Sequence, residues 1–376
     1  MDQMVVLVHP ALHLWASPER PGDDPGRWQA ASTDAAGTVA LEIRILSASD
    51  VRRALTARDA VGAMRAAFGE LSGGTAAVPV RAHLECARGV MLVMPAVLGA
   101  QPALGAKVVS VFPDNPSRGA PAVQGAVLLL DAETGRARAL LDGTSLTGVR
   151  TAAASTLATD LLARADADVL AVFGASTQGR SHVELLARTR RLREVRIVSR
   201  SGASAERLAA RLSEAADTLV PEDRPGPPPL VRAVRDPAAA LDGAGLVVTA
   251  TSSTTPVFAT SDLAPGAHVN AVGSYRPDMQ EVDADLVRRA RVVVDQREAA
   301  WSETGDLIVP ADAGLIDRDT VDAEIGEIVN GAAPAGRDGR DFTLFESVGN
   351  AAQDIAIAET AVARAEAAGL GVLAPL

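Results

Sequence analysis

The chain has 376 residues, more than a single domain of ordinary size, so two separate hydrophobic cores are expected. The apolar fraction is ordinary at 48%, but aromatic residues make up only 3%, so Ala, Val and Leu must do the packing. A net charge of -11 with scattered arginines argues against nucleic acid as a partner, and the single cysteine, Cys86, excludes an internal disulfide and fits the reducing cytoplasm.

Residues 1–40 include the turn-forming run from Pro18 to Gly26 and read as a flexible extension. The apolar start, Met4 to Val8, follows Asp2 with no basic residue and is broken by His9 and Pro10, which argues against a signal peptide. A strand from Val39 to Leu46 leads to Ser47, placed to cap one helix running through Val51, Leu55, Ala60 and Met64 to Phe68, with Ser72-Gly73-Gly74 ending it. From Val78 to Leu141 short β-rich runs, at Val90 to Met94, Gly105 to Phe112, Ala126 to Asp131 and Ala137 to Asp142, predict an antiparallel or mixed sheet. Ala and Leu then recur at helical spacing from Ser145 to Ala163, a helix suited to bridging two domains.

Strands and helices alternate next: strand Val169 to Phe173, helix Gln178 to Thr189, strand Val195 to Ser199, helix Ser204 to Ala215, and strands Leu246 to Ala250, Val269 to Val272 and Val292 to Asp295. That alternation predicts an α/β fold with a parallel, doubly wound sheet and right-handed crossovers. Pro221 to Pro229 reads as a loop, the chain as helical after Val309, and Ala351 to Ala368 as a helix returning to the first domain. No run approaches the roughly 20 apolar residues that cross a bilayer, and no His/Cys spacing matches a metal site.

Strand Val169 to Phe173 runs directly into Gly174-Ala175-Ser176-Thr177-Gln178-Gly179 and a helix, the setting of a dinucleotide-binding turn. Ser176 stands where glycine is usual, placing a Cβ near the phosphates but also a hydroxyl donor. The next strand ends in Ser199-Arg200-Ser201 where an acidic residue would hold the ribose of NAD(H). A guanidinium flanked by hydroxyls suits a 2′-phosphate instead, so NADP(H) is favoured over NAD(H). Thr251 and Ser252 follow a parallel strand, where loops line the ligand crevice, and are placed to touch nicotinamide or ribose. His182 and His268 read as packing residues.

Together, Met94-Pro95, Gly105-Ala106-Lys107, Phe112-Pro113-Asp114-Asn115, the run Leu146 to Ala153 (Leu-Thr-Gly-Val-Arg-Thr-Ala-Ala), the glycine turn, Asn270-Ala271-Val272-Gly273-Ser274, the run Arg276 to Glu281 and Phe345-Glu346-Ser347-Val348-Gly349 carry a resemblance. From about residue 43 to 370 the chain resembles the ornithine cyclodeaminase/mu-crystallin family. The resemblance implies a central Rossmann-type domain, 151–309, inserted into an α+β substrate-binding and dimerisation domain made of 41–150 plus 310–376, and a homodimer. It also implies hydride exchange at an α-carbon bearing nitrogen and a carboxylate. Arg81, Lys107 and Arg150 match positions that grip the substrate carboxylate, which needs cationic partners in a closed pocket. Asn270, Gly273 and Ser347-Val348-Gly349 match positions near the cofactor.

Two departures separate this chain from a true cyclodeaminase. Leu92 stands where that pattern has a glutamate just before Met-Pro, and Tyr275 where it has an aspartate two residues past the Asn-Ala-Val-Gly glycine. Without those carboxylates the obvious bases for ammonia release are gone. The expected reaction is therefore NAD(P)H-dependent reduction of an α-imino acid, a cyclic ketimine such as pyrroline-2-carboxylate or the imine of a 2-oxo acid, to the amino acid. Lys107 is the candidate proton donor and Tyr275 a second. The alternatives are an ammonia-releasing cyclodeaminase and a non-catalytic nucleotide-dependent binding protein of the mu-crystallin type.

Overall fold

The computed structural model describes residues 42–100 and 102–376, so the expected extension at 1–40 lies outside the described residues. The described chain opens with β1 (Glu42–Leu46), α1 (Ala48–Ala54) and α2 (Ala57–Ser72). It continues through β2 (Ala82–Cys86), β3 (Gly89–Leu98), β4 (Ala103–Val111), β5 (Val123–Leu130), β6 (Ala137–Asp142) and the long α3 (Gly143–Leu162). An alternating section follows: β7 (Val169–Phe173), α4 (Thr177–Thr189), β8 (Glu194–Val198), α5 (Ala203–Glu214), β9 (Leu230–Ala233), α6 (Pro237–Leu241) and β10 (Leu246–Thr249). Next come β11 (His268–Ala271), α7 (Ala284–Arg289), β12 (Ala290–Val294), α8 (Arg297–Glu303) and α9 (Gly305–Asp312). The chain ends with β13 (Val321–Glu324), α10 (Ile325–Val329), β14 (Phe342–Glu346), α11 (Ala351–Ala367) and β15 (Val372–Pro375).

Where one helix was expected from Ser47 to Phe68 there are two. Ser47 does cap the first, but Thr56 and Asp59 form a second reciprocal cap, with Asp59 N donating to Thr56 Oγ1 at 3.0 Å and Thr56 N to Asp59 Oδ2 at 3.2 Å. A capping box inside a periodic apolar run stops one helix and starts another.

Two sheets form. The first is mixed and seven-stranded, in the order β15-β1-β6-β5-β4-β3-β2. The second is eight-stranded, in the order β13-β12-β14-β11-β10-β7-β8-β9, with every neighbouring pair parallel. Its stretch β9-β8-β7-β10-β11 is the doubly wound arrangement, with the strand order reversing at β7, the kind of switch point at which such sheets form a ligand crevice. β13 and β14 are strands of this sheet, so the parallel sheet extends past residue 309, where the sequence reading ends it and turns helical. Phe342-Thr343-Leu344-Phe345-Glu346 is buried on both faces, and so short an apolar run has no period that separates strand from helix.

α3 packs on α2, α4 and α11 and touches both sheets, through β5 on one side and β11 and β14 on the other. Its buried run Thr151-Ala152-Ala153-Ala154-Ser155-Thr156 explains how a chain poor in aromatics closes its core: small side chains let helix and sheet backbones approach closely. In the mixed sheet, Met94, Lys107, Val127 and Leu141 pair in one buried row facing α3 and α11. The opposite face carries Val93, Val97, Val108, Leu128, Leu140 and Ile45, of which Val97, Val108, Leu140 and Ile45 are exposed. Among the described residues no helix is long and apolar enough to cross a membrane.

Candidate active site

Lys107 points inward from the middle of β4, in the row of Met94, Val127 and Leu141, and is 3% exposed. A buried ammonium needs a partner, and α11 supplies it: Lys107 Nζ lies 2.6 Å from Asp354 Oδ2. Arg150, from α3, brings its Nε to 3.3 Å from Asp354 Oδ1 and donates through Nη1 to Gln353 Oε1 at 2.9 Å. Arg81, in the segment before β2, donates to Glu303 Oε2 at 2.9 Å and to the Gly349 carbonyl at 3.0 Å. The three expected carboxylate-gripping residues are thus joined through α11 and the turn that precedes it. Gly349 has φ +78, and a Cβ there would strike the Arg150 guanidinium, so only glycine lets the turn pass.

Behind this cluster sits Asp295, at the end of β12 and fully buried. It accepts from Gly349 N at 2.7 Å, Ser347 Oγ at 2.9 Å and Gln353 Nε2 at 3.4 Å. Burial pushes its carboxyl upward against these hydrogen bonds and the Arg150 charge. Burial also raises Glu303, with Arg81 opposing and Asp295 reinforcing. For Lys107, burial pulls the ammonium down to about 8; Asp354 opposes this, while the charges of Arg150 and Arg81 add to it. Three cations therefore face carboxyls of which two are biased toward neutrality, an environment that favours a bound anion and an easily released proton.

The glycine turn lies where β7 meets α4. Gly174 has φ +118 and a Cβ there would run into the Ala250 carbonyl, while a Cβ on Gly179 would run into the Gly174 carbonyl. Ser176 is the N-cap of α4 but makes no side-chain cap bond, so the N–H groups of the first turn are left for a phosphate. Ser176 and Thr177 are exposed, Ala175 and Gln178 half-buried, and Gln178 Oε1 is buried without a partner among the described residues. These features fit a dinucleotide. The turn is tied to the cationic cluster through α3: Gly148 packs on Ser181, and Gln178 Nε2 reaches Thr151 Oγ1 at 3.5 Å, one residue from Arg150.

After β8, Ser199 Oγ accepts from Ser204 Oγ at 2.9 Å and Ala205 N at 3.0 Å, ordering the start of α5. Arg200 and Ser201 are exposed, and Arg200 has no ion pair among the described residues. Past β10, Thr251 turns its hydroxyl to Glu281 and Ser252 is exposed. Gly273 donates its N–H to Glu281 as well. Asn270 lies inside the sheet, fully buried, donating to Thr159 of α3 at 3.1 Å. Tyr275 is 53% exposed beneath Arg276 at 6.0 Å, and the structure does not join it to the Lys107 cluster. His182 and His268 are fully buried, and burial drops their pKa values to about 4 and about 3.

Sequence reasoning missed Asp354, Gln353, Asp295 and Glu303. A readable signal existed for the first two, since Gln353-Asp354 interrupts an alanine- and isoleucine-rich helix whose burial obliges an acid to have a partner.

The family model for the ornithine cyclodeaminase/mu-crystallin family matches residues 42–369. A Delta(1)-pyrroline-2-carboxylate reductase of Bacillus cereus is 36% identical over 330 residues, covering 87% of this chain and 98% of that one. The solved Delta(1)-pyrroline-2-carboxylate reductase of Thermococcus litoralis, in complex with NADH and L-proline, superposes with a TM-score of 0.80 at 32% identity, over 88% of this chain and 99% of that one. An archaeal alanine dehydrogenase dimer with bound NAD superposes with a TM-score of 0.78 at 29% identity, over 89% and 99% of the two chains. With the match spanning both sheets, the cationic cluster and the glycine turn, this chain belongs to the ornithine cyclodeaminase/mu-crystallin family.

Proposed function

We propose that this protein is an NAD(P)H-dependent reductase of α-imino acids, with a cyclic ketimine such as pyrroline-2-carboxylate as the leading substrate class. The observation that carries the reading is the convergence of buried Lys107 and Arg150 with half-buried Arg81, tied through α3 to the glycine turn, with the Lys107 proton held near neutrality. The nicotinamide supplies hydride from C4 when bound. The chain's own part is to grip the substrate carboxylate with Arg150 and Arg81 and to hold a proton at the imine nitrogen with Lys107. Protonating that nitrogen makes its carbon electrophilic, and the apolar row around Lys107 keeps water from competing. Leu92 lies two residues before Met94 on the same face of β3, the face that Lys107 shares, so this position brings an apolar side chain and no acid to that side of the sheet. That favours reduction over ammonia release.

The decisive experiment supplies purified protein with NADPH or NADH and pyrroline-2-carboxylate, piperideine-2-carboxylate, or pyruvate with ammonia or methylamine. Stoichiometric loss of the reduced-nicotinamide absorbance is expected with at least one imine. Ammonia release from ornithine or lysine with no net change in that absorbance would overturn the reading.

Cofactor choice rests on Arg200. Arg200 is exposed and pairs with no carboxylate among the described residues, which suits it to a 2′-phosphate, and a charged hydrogen bond of this kind contributes about 1.5–3 kcal/mol. Arg200→Ala should lower kcat/KM for NADPH by roughly tenfold to a hundredfold and leave NADH nearly unchanged. Equal effects on the two nucleotides, or a wild-type preference for NADH, would refute the assignment.

The outer face of the mixed sheet supports a homodimer. Val93, Val97, Val108, Leu128, Leu140 and Ile45 make it apolar across five adjacent strands, and a contiguous patch of this kind marks an interface. Packing two such faces would bury it symmetrically. Val108→Glu with Leu140→Glu should convert a dimer to a folded monomer by light scattering; an unchanged mass would count against this face.

A further inference from the structure

The run Arg276 to Glu281 contributes nothing to the cationic cluster, yet its last residue is fully buried and its side chain accepts three hydrogen bonds. Glu281 Oε1 accepts from Thr251 N and Thr251 Oγ1, both at 2.6 Å, and Oε2 accepts from Gly273 N at 2.7 Å. Thr251 lies two residues past the end of β10 and Gly273 two past the end of β11, on adjacent parallel strands at the ligand-facing edge of the sheet. One carboxylate therefore spans the two loops nearest the reacting end of a dinucleotide. The approach is close enough to demand glycine, since a Cβ on Gly273 would collide with both the Thr251 carbonyl and the Glu281 carboxyl. Glu281 is itself held from behind, its N–H donating to Asp306 Oδ1 at 2.6 Å and its carbonyl accepting from Val257 N at 2.9 Å.

We infer that Glu281 is a positioning residue for hydride transfer: by clamping the loops after β10 and β11 together it sets where the nicotinamide ring lies relative to a substrate held by Lys107 and Arg150. The inference rests on the reductase reading. Only an acceptor-only group with two oxygens satisfies all three donors. A glutamine has one acceptor oxygen, and its amide nitrogen would face an N–H, opening one side of the clamp.

The test is Glu281→Gln in the full chain, read by steady-state kinetics, by the isotope effect with NADPH deuterated at C4, and by titration with NADPH and with 2′-phospho-ADP-ribose, which lacks nicotinamide. Misplacing the ring should lower kcat by roughly tenfold to a hundredfold and raise the isotope effect. NADPH binding should weaken while 2′-phospho-ADP-ribose binds within about twofold of wild type, because the phosphate and ribose contacts lie elsewhere. Unchanged kcat, or equal weakening of both ligands, would overturn the inference, the second because it marks a general structural role. If the glutamine variant does not fold, Thr251→Val, which keeps the backbone donor and removes the hydroxyl, should shift the same readouts in the same direction by less; no shift would overturn it. Wild-type protein that binds NADPH but reduces no imine would defeat the reductase reading alone, and the two titrations would still decide whether Glu281 places the ring.

Discussion

Lys107→Met is expected to lower kcat/KM for imine reduction by roughly a thousandfold, the middle of the range for a positioned general acid. Methionine suits the site sterically, because the side chain lies in a row with Met94, Val127 and Leu141. The variant also leaves Asp354 buried with Arg150 as its remaining cation, and removing one partner of a buried pair costs about 3–5 kcal/mol. Activity loss must therefore be separated from unfolding. Denaturant unfolding of Lys107→Met reads that cost apart from turnover, and adding Asp354→Asn should not relieve it, because Arg150 would then be buried without its carboxylate. The wild-type pH profile is the companion measurement. Lys107 gives up its proton at about 8, so kcat/KM should be level below that pH and fall above it. Lys107→Arg, which stays charged, should lose that alkaline limb along with most of the activity. A Lys107→Met enzyme with near-normal turnover, or a wild-type profile flat through pH 9, would remove Lys107 from the role of proton donor.

The second large effect is on stability. Asp306, Glu281 and Glu346 form a buried acidic group beneath the loops that follow β10 and β11. Burial and the neighbouring Glu281 push Asp306 up to about 8 from 3.8, and burial holds Glu346 well above its ordinary value. Between pH 4 and 8 the folded protein therefore keeps a proton on Asp306 that the unfolded chain has already released. Stability must fall as pH rises through that window, by about 1.4 kcal/mol per pH unit for each such group. From pH 6 to 8 the wild-type fold should therefore become progressively less stable until this group of carboxyls gives up its proton. Asp306→Asn should remove about one proton from that slope. Its Oδ1 can still accept from Glu281 N and Val282 N, and its amide nitrogen takes the place of Oδ2, which is buried without a partner among the described residues. Denaturant unfolding at a series of pH values reads this directly, and an unchanged slope in the asparagine variant would show that the proton is held elsewhere.

Local patterns explain which parts of the fold were readable. Strand Val169 to Phe173 matches β7 residue for residue, and the helix after the glycine turn starts one residue earlier than expected, because both depend on neighbours within a few positions. Gly174 was legible for the same reason: a turn that requires positive φ announces itself by the one residue that adopts it freely. The break between α1 and α2 was equally local but was outvoted by the apolar period around it. β13 and β14 were not readable, since a short strand, whether at the edge like β13 or between two others like β14, takes its identity from pairing partners distant in the chain.

The site divides along the same line. Lys107 and Arg150 could be named from their surrounding residues and from family resemblance, and composition alone foretold a core of small side chains. Their environment could not be named. Arg150 meets Gln353 203 residues away, and Arg81 meets Glu303 and Gly349 at separations of 222 and 268. Tyr275, marked as a second donor by its place in a motif, is turned to solvent, while Glu281 in the same stretch is drawn inward to bind two loops. The sequence by itself determined most of the strands and helices as far as β12 and the form of the turn between β7 and α4, because those follow from backbone geometry and residue chemistry over short spans. Only the tertiary structure decided what each charge faces and whether it keeps its proton, because burial and partner distance are set by segments that meet only when the chain is folded.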